Sequence, residues 1–381
     1  MKKILEDIRV VDLTHVWFGP WCTKALAALG AEVIKIEPIW GEFSRYNPPL
    51  LGDSGVGFIC LNAGKKGMTL DLKNPKGKEI FLEIIKKSDV VVNNFMPGTM
   101  EKLGIGYDDL KKINPRIIYA QLSGFGLSGP YSMRPSFAPI GEAYSGFMRL
   151  TGDLIDPEGP PRSATDAYGD AVPGTWAALG ILAALRYRDL TGIGQLLDVT
   201  QIEVCTYMVS NSINTYIITG ELPHVTRKKY RIGVGGTFKA KDGWVYIMAA
   251  RGAQTDRLRK LLGLEEVDDE HIKGWVEQRT VSEVVEYLSK NDIPVAPCNT
   301  IDKAIKDPHL LARNAFVEFT DPRVKDKKVL LPDFPVKFSE TPGHIEGPAP
   351  LLGQHNEEIL TKLLGYTKDQ IAKLREERVI T

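Results

Sequence analysis

Residues 8–13 read IRVVDL, residues 32–37 read EVIKIE, and a helical segment with small apolar residues lies between them at 19–30. Two β-rich runs around one helix, within about 30 residues, form a strand–helix–strand unit that opens a parallel α/β sheet. The turn after the first strand reads HVWFGP at 15–20 and lacks the GxGxxG pattern of dinucleotide-binding folds. The sequence therefore predicts a Rossmann-like α/β fold without the nicotinamide signature.

The alternation of strands and helices continues along the next part of the chain. It predicts helices at 76–87 and 107–113, and strands at 89–95 and 116–122. Sheets of this kind bind ligands just beyond the carboxyl ends of their strands. We therefore expect the ligand site near three strand ends, at residues 14–17, 93–95 and 123–125.

Residues 165–174, TDAYGDAVPG, open a long apolar helix that we expect to run to about residue 188, and a second apolar helix is predicted at 202–218. Asp170 is placed where the loop becomes the first of these helices. Its carboxylate would face the free N–H groups at the positive end of the helix dipole. Two interpretations stay open here. Asp170 is a nucleophile that carries an acyl group between two molecules, or it is only an N-cap, with Pro173 in the first helical turn.

The length of 381 residues favours two domains, at about 150 residues each. The composition changes near Leu222, where a basic stretch at 224–230 precedes short β-rich runs. We predict a large Rossmann-like domain, a small α+β domain with its linker, and a C-terminal segment that returns to the large domain. The predicted bounds are 1–223, 224–328 and 329–381.

The composition excludes several classes of protein. Lys and Arg number 48 and so do Asp and Glu, so nothing indicates a nucleic-acid tail or a polybasic membrane patch. The four cysteines have no CxxC spacing and the six histidines form no HxxxH pair, so no metal site is expected. No apolar run reaches the roughly 18 residues of a membrane span. We expect a cytoplasmic protein with no permanently bound cofactor.

An ordered set of short motifs extends along most of the chain, and through it the sequence resembles the class III coenzyme A transferases, the formyl-CoA/carnitine CoA transferase family. The motifs are LEDIRVVDLTH at 5–15, LGAEVIKIE at 29–37, LDLK at 70–73, Gly169-Asp170, TGIGQ at 191–195 and PLLGQH at 350–355. The resemblance implies a homodimer whose two chains interlock, each threaded through the other. A heterodimer with a paralogue is the alternative partner arrangement.

The resemblance also implies the chemistry. CoA would move from an acyl-CoA donor to a free carboxylic acid through a mixed anhydride on Asp170, with coenzyme A entering as the acyl-CoA substrate. Gly235 and Gly236 match in type a flexible glycine loop that closes on the anhydride, and a plain turn is the alternative interpretation. The residues carried over to the CoA site are His15, Val16, Trp17, Phe18, Leu70, Asp71, Leu72, Lys73, Asn94, Phe95, Met96, Lys102, Phe137 and Ala138. A structural histidine is the alternative for His15, and a solvated lysine for Lys102.

The chain departs from the family pattern at several positions. Pro38 stands where members often place an arginine against the adenine, so that contact would come from elsewhere, with Arg45 as the candidate. The Phe137-Ala138 pair replaces a common Tyr-Asp or Tyr-Glu pair, which removes a hydroxyl and a carboxylate. Trp17 and Phe18 replace smaller or polar residues. These changes predict an apolar acyl pocket for a bulky, aromatic or branched acid.

Other functions remain as alternatives. The α-methylacyl-CoA racemases share the fold and use a His and an Asp, but this chain has Phe137 where that family has its histidine, and no histidine between His15 and His224. A non-catalytic subunit that binds CoA is a second alternative. A nicotinamide oxidoreductase is disfavoured by the missing glycine pattern.

Overall fold

The computed structural model describes residues 3–165, 167–229, 233–249, 252–324 and 328–381, without the side chains of 227–229. Asp166, in the stretch that precedes the long helix, and Tyr230, at the end of the predicted linker, lie outside the described residues. The strands are β1 (Arg9–Asp12), β2 (Glu32–Glu37), β3 (Leu50–Leu51), β4 (Ser54–Gly55), β5 (Lys66–Thr69), β6 (Val90–Asn93), β7 (Ile118–Ser123), β8 (Leu196–Thr200), β9 (Val234–Ala240), β10 (Gly243–Ala249), β11 (Val295–Pro297), β12 (Phe316–Thr320) and β13 (Lys328–Pro332).

The α-helices lie between and after these strands. They are α1 (Phe18–Ala28), α2 (Val56–Asn62), α3 (Pro75–Ile85), α4 (Thr99–Lys102), α5 (Tyr107–Ile113), α6 (Ala138–Tyr144), α7 (Phe147–Asp153), α8 (Tyr168–Thr191), α9 (Gln201–Met208), α10 (Ser210–Thr219), α11 (Pro223–Lys229), α12 (Gly252–Leu262), α13 (Asp269–Val276), α14 (Val281–Lys290), α15 (Ile301–Ala304), α16 (Pro308–Ala312), α17 (Asn356–Glu358) and α18 (Lys368–Glu376). A 3₁₀ turn spans Phe43–Tyr46, and a π-helical turn, Ile359–Leu363, follows α17.

Six strands form the central sheet, in the order β5-β2-β1-β6-β7-β8, and every neighbouring pair is parallel. In the middle of the sheet Val11 lies between Ile34 of β2 and Val91 of β6. Parallel strands need crossover connections, and α1, α3 and the other helices of this region supply them. The predicted Rossmann-like α/β fold is confirmed.

The sheet is buried on both faces because its side chains alternate between two cores. Val10, Val33 and Val92 pack into one core with the apolar residues of α1 and α8. Val11 and Ile36 pack into the other core with α3, α5 and the C-terminal helices. Consecutive apolar residues, such as the three valines of β6, are typical of strands that are buried on both faces.

The C-terminal segment closes the second of these cores. Ile371, Leu374 and Ile380 belong to the same buried cluster as Val11. The side chain of Asn356 accepts from the Thr69 amide at 2.9 Å and donates to the Thr69 hydroxyl at 2.9 Å, so the tail is fixed to the end of β5.

The chain divides into two compact units, 1–214 with 315–381, and 215–314. These divisions come earlier in the chain than the predicted boundaries at 223 and 328. The later division differs because β12 and β13 pair with each other and their residues Val317 and Leu331 pack with Ala28 and Ala63 of the first unit. Antiparallel β11-β10-β9 form the sheet of the second unit, and its core includes Val245, Leu258 and Leu288 from that sheet, α12 and α14.

The helix predicted at 202–218 is interrupted. It forms α9 and α10 instead, with Val209 between them in a non-helical conformation. Within the described ranges, no helix combines the length and apolar character that crossing a membrane requires.

Candidate active site

A buried polar network fixes the carboxyl end of β1. Asp12 Oδ1 accepts from the amide and the hydroxyl of Thr14, at 2.8 and 2.6 Å, and Asp12 Oδ2 accepts from Lys65 Nζ at 2.9 Å. Burial would raise the pKa of Asp12, but Lys65 and Lys35 outweigh it and hold that pKa well below its ordinary range. Lys35 also donates to the Thr14 carbonyl at 2.7 Å. The turn that follows β1 therefore begins from a rigid base.

Asn94, after β6, holds the next residue of this turn. It accepts from the His15 amide at 2.8 Å and donates to the His15 carbonyl at 2.9 Å. Val16 then has a φ of +66°, a conformation that strains a β-branched residue. Strain of this kind persists where the surroundings enforce it, commonly at functional sites. The result is that the first turn of α1 begins at the edge of the sheet.

The long helix α8 begins at Tyr168, so Asp170 lies in its first turn. Ala167 occupies the N-cap position with a φ of +51° and makes no side-chain capping bond. The N-cap interpretation of Asp170 is therefore wrong. Asp170 Oδ1 instead accepts from Gln201 Nε2 at 2.5 Å, and Gln201 Oε1 accepts from Ser136 Oγ at 2.7 Å.

Asp170 is only 7% exposed, and this burial controls its ionisation. Burial raises the pKa of Asp170 to about 6, with a smaller upward contribution from Glu142, while the hydrogen bond from Gln201 acts in the opposite direction. The helix N-terminus also favours the charged form. At neutral pH the side chain is therefore a poorly hydrated carboxylate, a suitable state for a nucleophile.

A cavity of about 470 Å³ opens beside Asp170 and Gln201. It brings together most of the sequence-predicted residues around the nucleophile candidate. Those that line it are His15, Val16, Trp17, Phe18, Asn94, Phe95, Met96, Phe137 and Asp170. Burial and the nearby charge of Lys35 lower the pKa of His15, so its imidazole is neutral at neutral pH.

The predicted residues Leu70, Asp71, Leu72 and Lys73 lie at a second cavity of about 210 Å³. His15 and Phe95 line both cavities, which therefore meet at these two side chains. Pro38 and Trp40 line the second cavity, and Trp40 is exposed. An aromatic ring and apolar walls suit a flat ligand group.

Arg45 is unsuited to the adenine contact suggested for it. It is 3% exposed, and its Nε and Nη2 donate to the Glu37 carboxylate, both at 2.7 Å. Its guanidinium also lies 3.8 Å from the centre of the Phe58 ring. Burial and a bidentate ion pair commit Arg45 to the protein interior.

Two other predicted contacts line neither cavity. Ala138 is 3% exposed at the start of α6 and lines neither cavity. Lys102 is exposed at the end of α4 and also lines neither cavity, although Thr99 and Leu103 next to it line the second. Their roles stay predictions.

Gly235 and Gly236 belong to the second unit, where they lie in β9 opposite Met248 and Ile247 of β10. The expectation of a glycine loop at these positions is wrong, because both residues are part of a regular antiparallel pairing. Any catalytic role for them remains a prediction.

Sequence reasoning missed four side chains around Asp170: Ser136, Gln201, Arg134 and Glu142. The first three line the larger cavity, and Glu142 is fully buried. A signal for Gln201 was present, because it follows β8 and thus lies beyond the carboxyl end of a parallel strand. Arg134 stacks on Tyr131 at 3.8 Å and donates to the Tyr144 hydroxyl at 2.7 Å, partners that an irregular stretch of sequence does not reveal. The described residues contain no cluster of His, Cys, Asp or Glu that could hold a metal ion.

Comparison with known proteins places these features in context. The model of CoA-transferase family III matches residues 5–356. The chain is 34% identical to the beta subunit of succinyl-CoA–L-malate CoA-transferase from Chloroflexus aurantiacus, over 99% of this chain and 98% of that one. It is 33% identical to succinyl-CoA:mesaconate CoA-transferase from Haloarcula hispanica, over 93% and 95% of the two chains. A crystal structure of a CaiB/BaiF family protein from Brucella suis superposes with a TM-score of 0.83 at 28% identity, over 95% of this chain and all of that chain.

Proposed function

The chain belongs to CoA-transferase family III, and from that premise we propose that it moves CoA from an acyl-CoA to a free carboxylic acid through a mixed anhydride on Asp170. The observation that carries the proposal is the placement of Asp170. It is a buried carboxylate in the first turn of a 24-residue helix, it lines a cavity, and Gln201 orients it.

The chemistry follows from the carboxylate. Asp170 attacks the thioester carbonyl, the C–S bond breaks, and CoA leaves as the thiolate with the bonding electron pair. The thiolate then attacks the aspartyl carbonyl of the anhydride, which releases the donor acid and leaves an aspartyl thioester. The acceptor acid attacks this thioester to form a second anhydride, and the thiolate takes the acceptor acyl group and frees Asp170. An anhydride conserves the reactivity of the thioester, whereas a serine ester would not.

The two cavities suit two parts of an acyl-CoA. The acyl group and thioester would lie in the larger cavity beside Asp170, and the nucleotide end would extend past His15 and Phe95 into the smaller one. There the exposed Trp40 offers a ring on which adenine can stack, in place of the arginine missing at Pro38. Lys102, exposed near this cavity, would meet a phosphate as a point charge.

The walls of the larger cavity favour a bulky, aromatic or branched acid. Trp17, Phe18, Phe95 and Phe137 supply apolar surface, and among the described residues that line it Arg134 is the one Lys or Arg. The relatives named for succinyl-CoA make this thioester the first donor to test. With succinyl-CoA as donor, we expect aryl-substituted acids to be better acceptors than oxalate, and a clear preference for oxalate would overturn this acceptor assignment.

We expect the protein to act as a dimer. Trp176, Leu179, Tyr187 and Leu190 form an apolar stripe along one face of α8, and all four side chains are at least 36% exposed. Contiguous exposed apolar surface of this kind commonly marks a subunit interface. Two copies of this chain are the simplest pairing, and a paralogue is the alternative because one relative is named as a beta subunit.

The decisive experiment is intact mass after mixing the protein with several acyl-CoAs, with and without hydroxylamine, beside Asp170→Ala. We expect an acyl or CoA adduct that hydroxylamine removes and that the variant does not form. The acyl-CoA that labels most strongly would identify the donor. No adduct with any donor would overturn the anhydride.

One observation supports a second candidate function, an acyl-CoA racemase. His15 and Asp170 line the same cavity, and a two-base proton transfer needs two such groups. Exchange of deuterium at the α-carbon of a 2-methylacyl-CoA, without an adduct, would favour this function. Adduct formation without exchange would exclude it.

A further inference from the structure

Glu142 is a buried carboxylate that the proposed chemistry does not use. It lies in α6 and is 0% exposed. Among the described residues it forms no ion pair with a lysine, arginine or histidine. A carboxylate buried without a cationic partner is expensive unless neutral donors satisfy its oxygens, so such a group is seldom retained without a purpose.

Among the described residues, the donors to the Glu142 carboxylate all come from one short stretch that precedes Asp170, the lead-in segment of residues 163–165 and 167–169. Oε2 accepts from Ser163 Oγ at 2.7 Å and from the Ala164 amide at 3.0 Å. Oε1 accepts from the Gly169 amide at 3.1 Å. One side chain therefore accepts hydrogen bonds from both ends of the lead-in segment. One of the donors is Gly169, the residue next to the nucleophile.

The lead-in segment has features that require such an anchor. Ala167 has a φ of +51°, which is unfavourable for a residue with a Cβ. Gly169 lies so close to α6 that a Cβ on it would be 2.3 Å from the Ala138 carbonyl oxygen. Helix α8 thus begins against the start of α6, in a conformation that its own sequence does not favour.

The same helix, α6, also controls the partner of Asp170. A Cβ on Gly141 would lie 2.8 Å from the Cβ of Gln201, so α6 and α9 are in close contact at this point. Glu142 is the next residue in α6. The position of Asp170 and the position of its hydrogen-bond donor Gln201 are therefore set by one short helix.

We propose that Glu142 is a positioning residue, which holds the lead-in segment so that the Asp170 carboxylate stands at the cavity in line with Gln201. Glu142 contacts no surface of the cavity and takes no part in bond making. The inference rests on the proposed function for its catalytic consequence, while the placement of Asp170 can be measured without any substrate.

The charge of Glu142 provides a signature that a purely structural role would not have. Glu142 contributes to the raised pKa of Asp170 and also to that of Cys205. The other ionisable groups around Asp170 are Tyr168 and Cys205, with His15 and Arg134 across the cavity. Removing the negative charge of Glu142 should lower the pKa of Asp170, whereas removing a neutral donor to Glu142 should leave it unchanged.

The test compares Glu142→Gln with Ser163→Ala. Glu142→Gln keeps the shape of the side chain but loses its negative charge and the oxygen that accepts from one N–H group. Ser163→Ala loses one hydrogen bond to Glu142 and leaves the charge of Glu142 in place. For Glu142→Gln we expect acylation at saturating acyl-CoA to slow between about tenfold and 100-fold, with little change in the Kd for CoA. Its rate–pH profile should shift to lower pH. Ser163→Ala should lose less rate and keep the wild-type pH profile.

Carbon-13 NMR titration of the Asp170 carboxyl, in folded wild type and Glu142→Gln, separates this inference from the proposed function. If the wild type forms no adduct, the transferase chemistry falls, but a lower Asp170 pKa in Glu142→Gln still supports the positioning role. The positioning role is overturned if Glu142→Gln leaves the Asp170 pKa unchanged and is acylated at the wild-type rate. If neither protein is acylated, an unchanged Asp170 pKa alone overturns it. Urea unfolding of both variants confirms that they are folded before they are compared.

Discussion

The Asp170 side chain is buried, yet the proposed reaction needs it in its charged form. The rate of acylation should therefore depend on pH. Burial raises its pKa to about 6, so most Asp170 side chains are protonated below that pH and nearly all are ionised above pH 7. We expect the single-turnover rate of adduct formation to rise through about pH 6 and then to level off. Quenched-flow mass measurements between pH 5 and 8 would check this, and a rate that is flat across this range would contradict it.

Gln201 acts on the same pKa in the opposite direction from Glu142. Its amide donates to the charged form of Asp170, and Gln201→Leu removes that donor without adding a charge. We expect the inflection in the rate–pH profile to move above pH 6 and the rate at pH 7 to fall. Ser136→Ala is the matched control, because it removes only the hydroxyl that donates to Gln201. A profile that moves to lower pH in Gln201→Leu would exclude this role.

At the scale of single residues the sequence predicts a role for Asp170 but not for its neighbours, and the reason is physical. Asp170 belongs to a recognisable Gly-Asp pair in the first turn of an apolar helix, so the local sequence singles it out. Glu142 is 28 positions earlier in the chain and Gln201 is 31 positions later. Only the packing of three helices brings them together, and that packing depends on close approaches that no local pattern records.

At the scale of elements, the contact between the start of α8 and α6 predicts a strong effect of one methyl group. Gly169→Ala would place a Cβ 2.3 Å from the Ala138 carbonyl oxygen, so the first turn of α8 must move. We expect a loss of about 1–3 kcal/mol in the free energy of unfolding and a large loss of acylation. Chemical denaturation and the adduct assay measure both.

Gly274→Ala is the matched control for this prediction. Gly274 lies in α13, has an ordinary φ and has open space around its would-be Cβ. There the added methyl group should be neutral or stabilise the helix by up to about 1 kcal/mol. Equal effects of the two substitutions would mean that crowding at Gly169 is not the cause.

Elements with a strong local pattern were predicted well. The bounds of β2 and α5 agree with the expected 32–37 and 107–113, because their patterns end at clear turn or cap residues. Gly235 and Gly236 were misread as a flexible loop, because glycine is common in loops, whereas here Gly235 pairs with Met248 of β10. In a strand of this kind the pairing with the neighbouring strand, and not the local glycine content, decides the structure.

At the scale of the whole molecule, the interlocked dimer implied by family resemblance makes a prediction about exchange. Two chains threaded through each other cannot separate without unfolding. We expect that mixed preparations with two different tags will form no mixed dimers under native conditions, even after days. Native mass spectrometry would check this, and unfolding in urea followed by refolding should then produce mixed dimers. Rapid native exchange would contradict threading, and a single-chain mass would contradict the dimer.

The division into two units shows what a sequence reveals about large-scale organisation. The change of composition near Leu222 predicts a central segment from 224 to 328, and the structure has a compact unit at 215–314. The predicted boundary at 328 separates β12 from most of β13, because β-rich sequence looks alike in either unit. The packing of the β12–β13 hairpin with Ala28 and Ala63, near the start of the chain, is a long-range contact.

The buried cluster that joins Val11 to Ile380 has a consequence for biosynthesis. The first strands leave the ribosome while the residues that cover one of their faces are still untranslated. The second unit, 215–314, lies between them in the chain and lengthens this interval. It can complete its own core, with Val245 and Leu288, before the first unit can. The nascent sheet therefore carries an apolar face until residues 359–380 have been synthesised, and exposed apolar surface of this kind is prone to aggregate during that time.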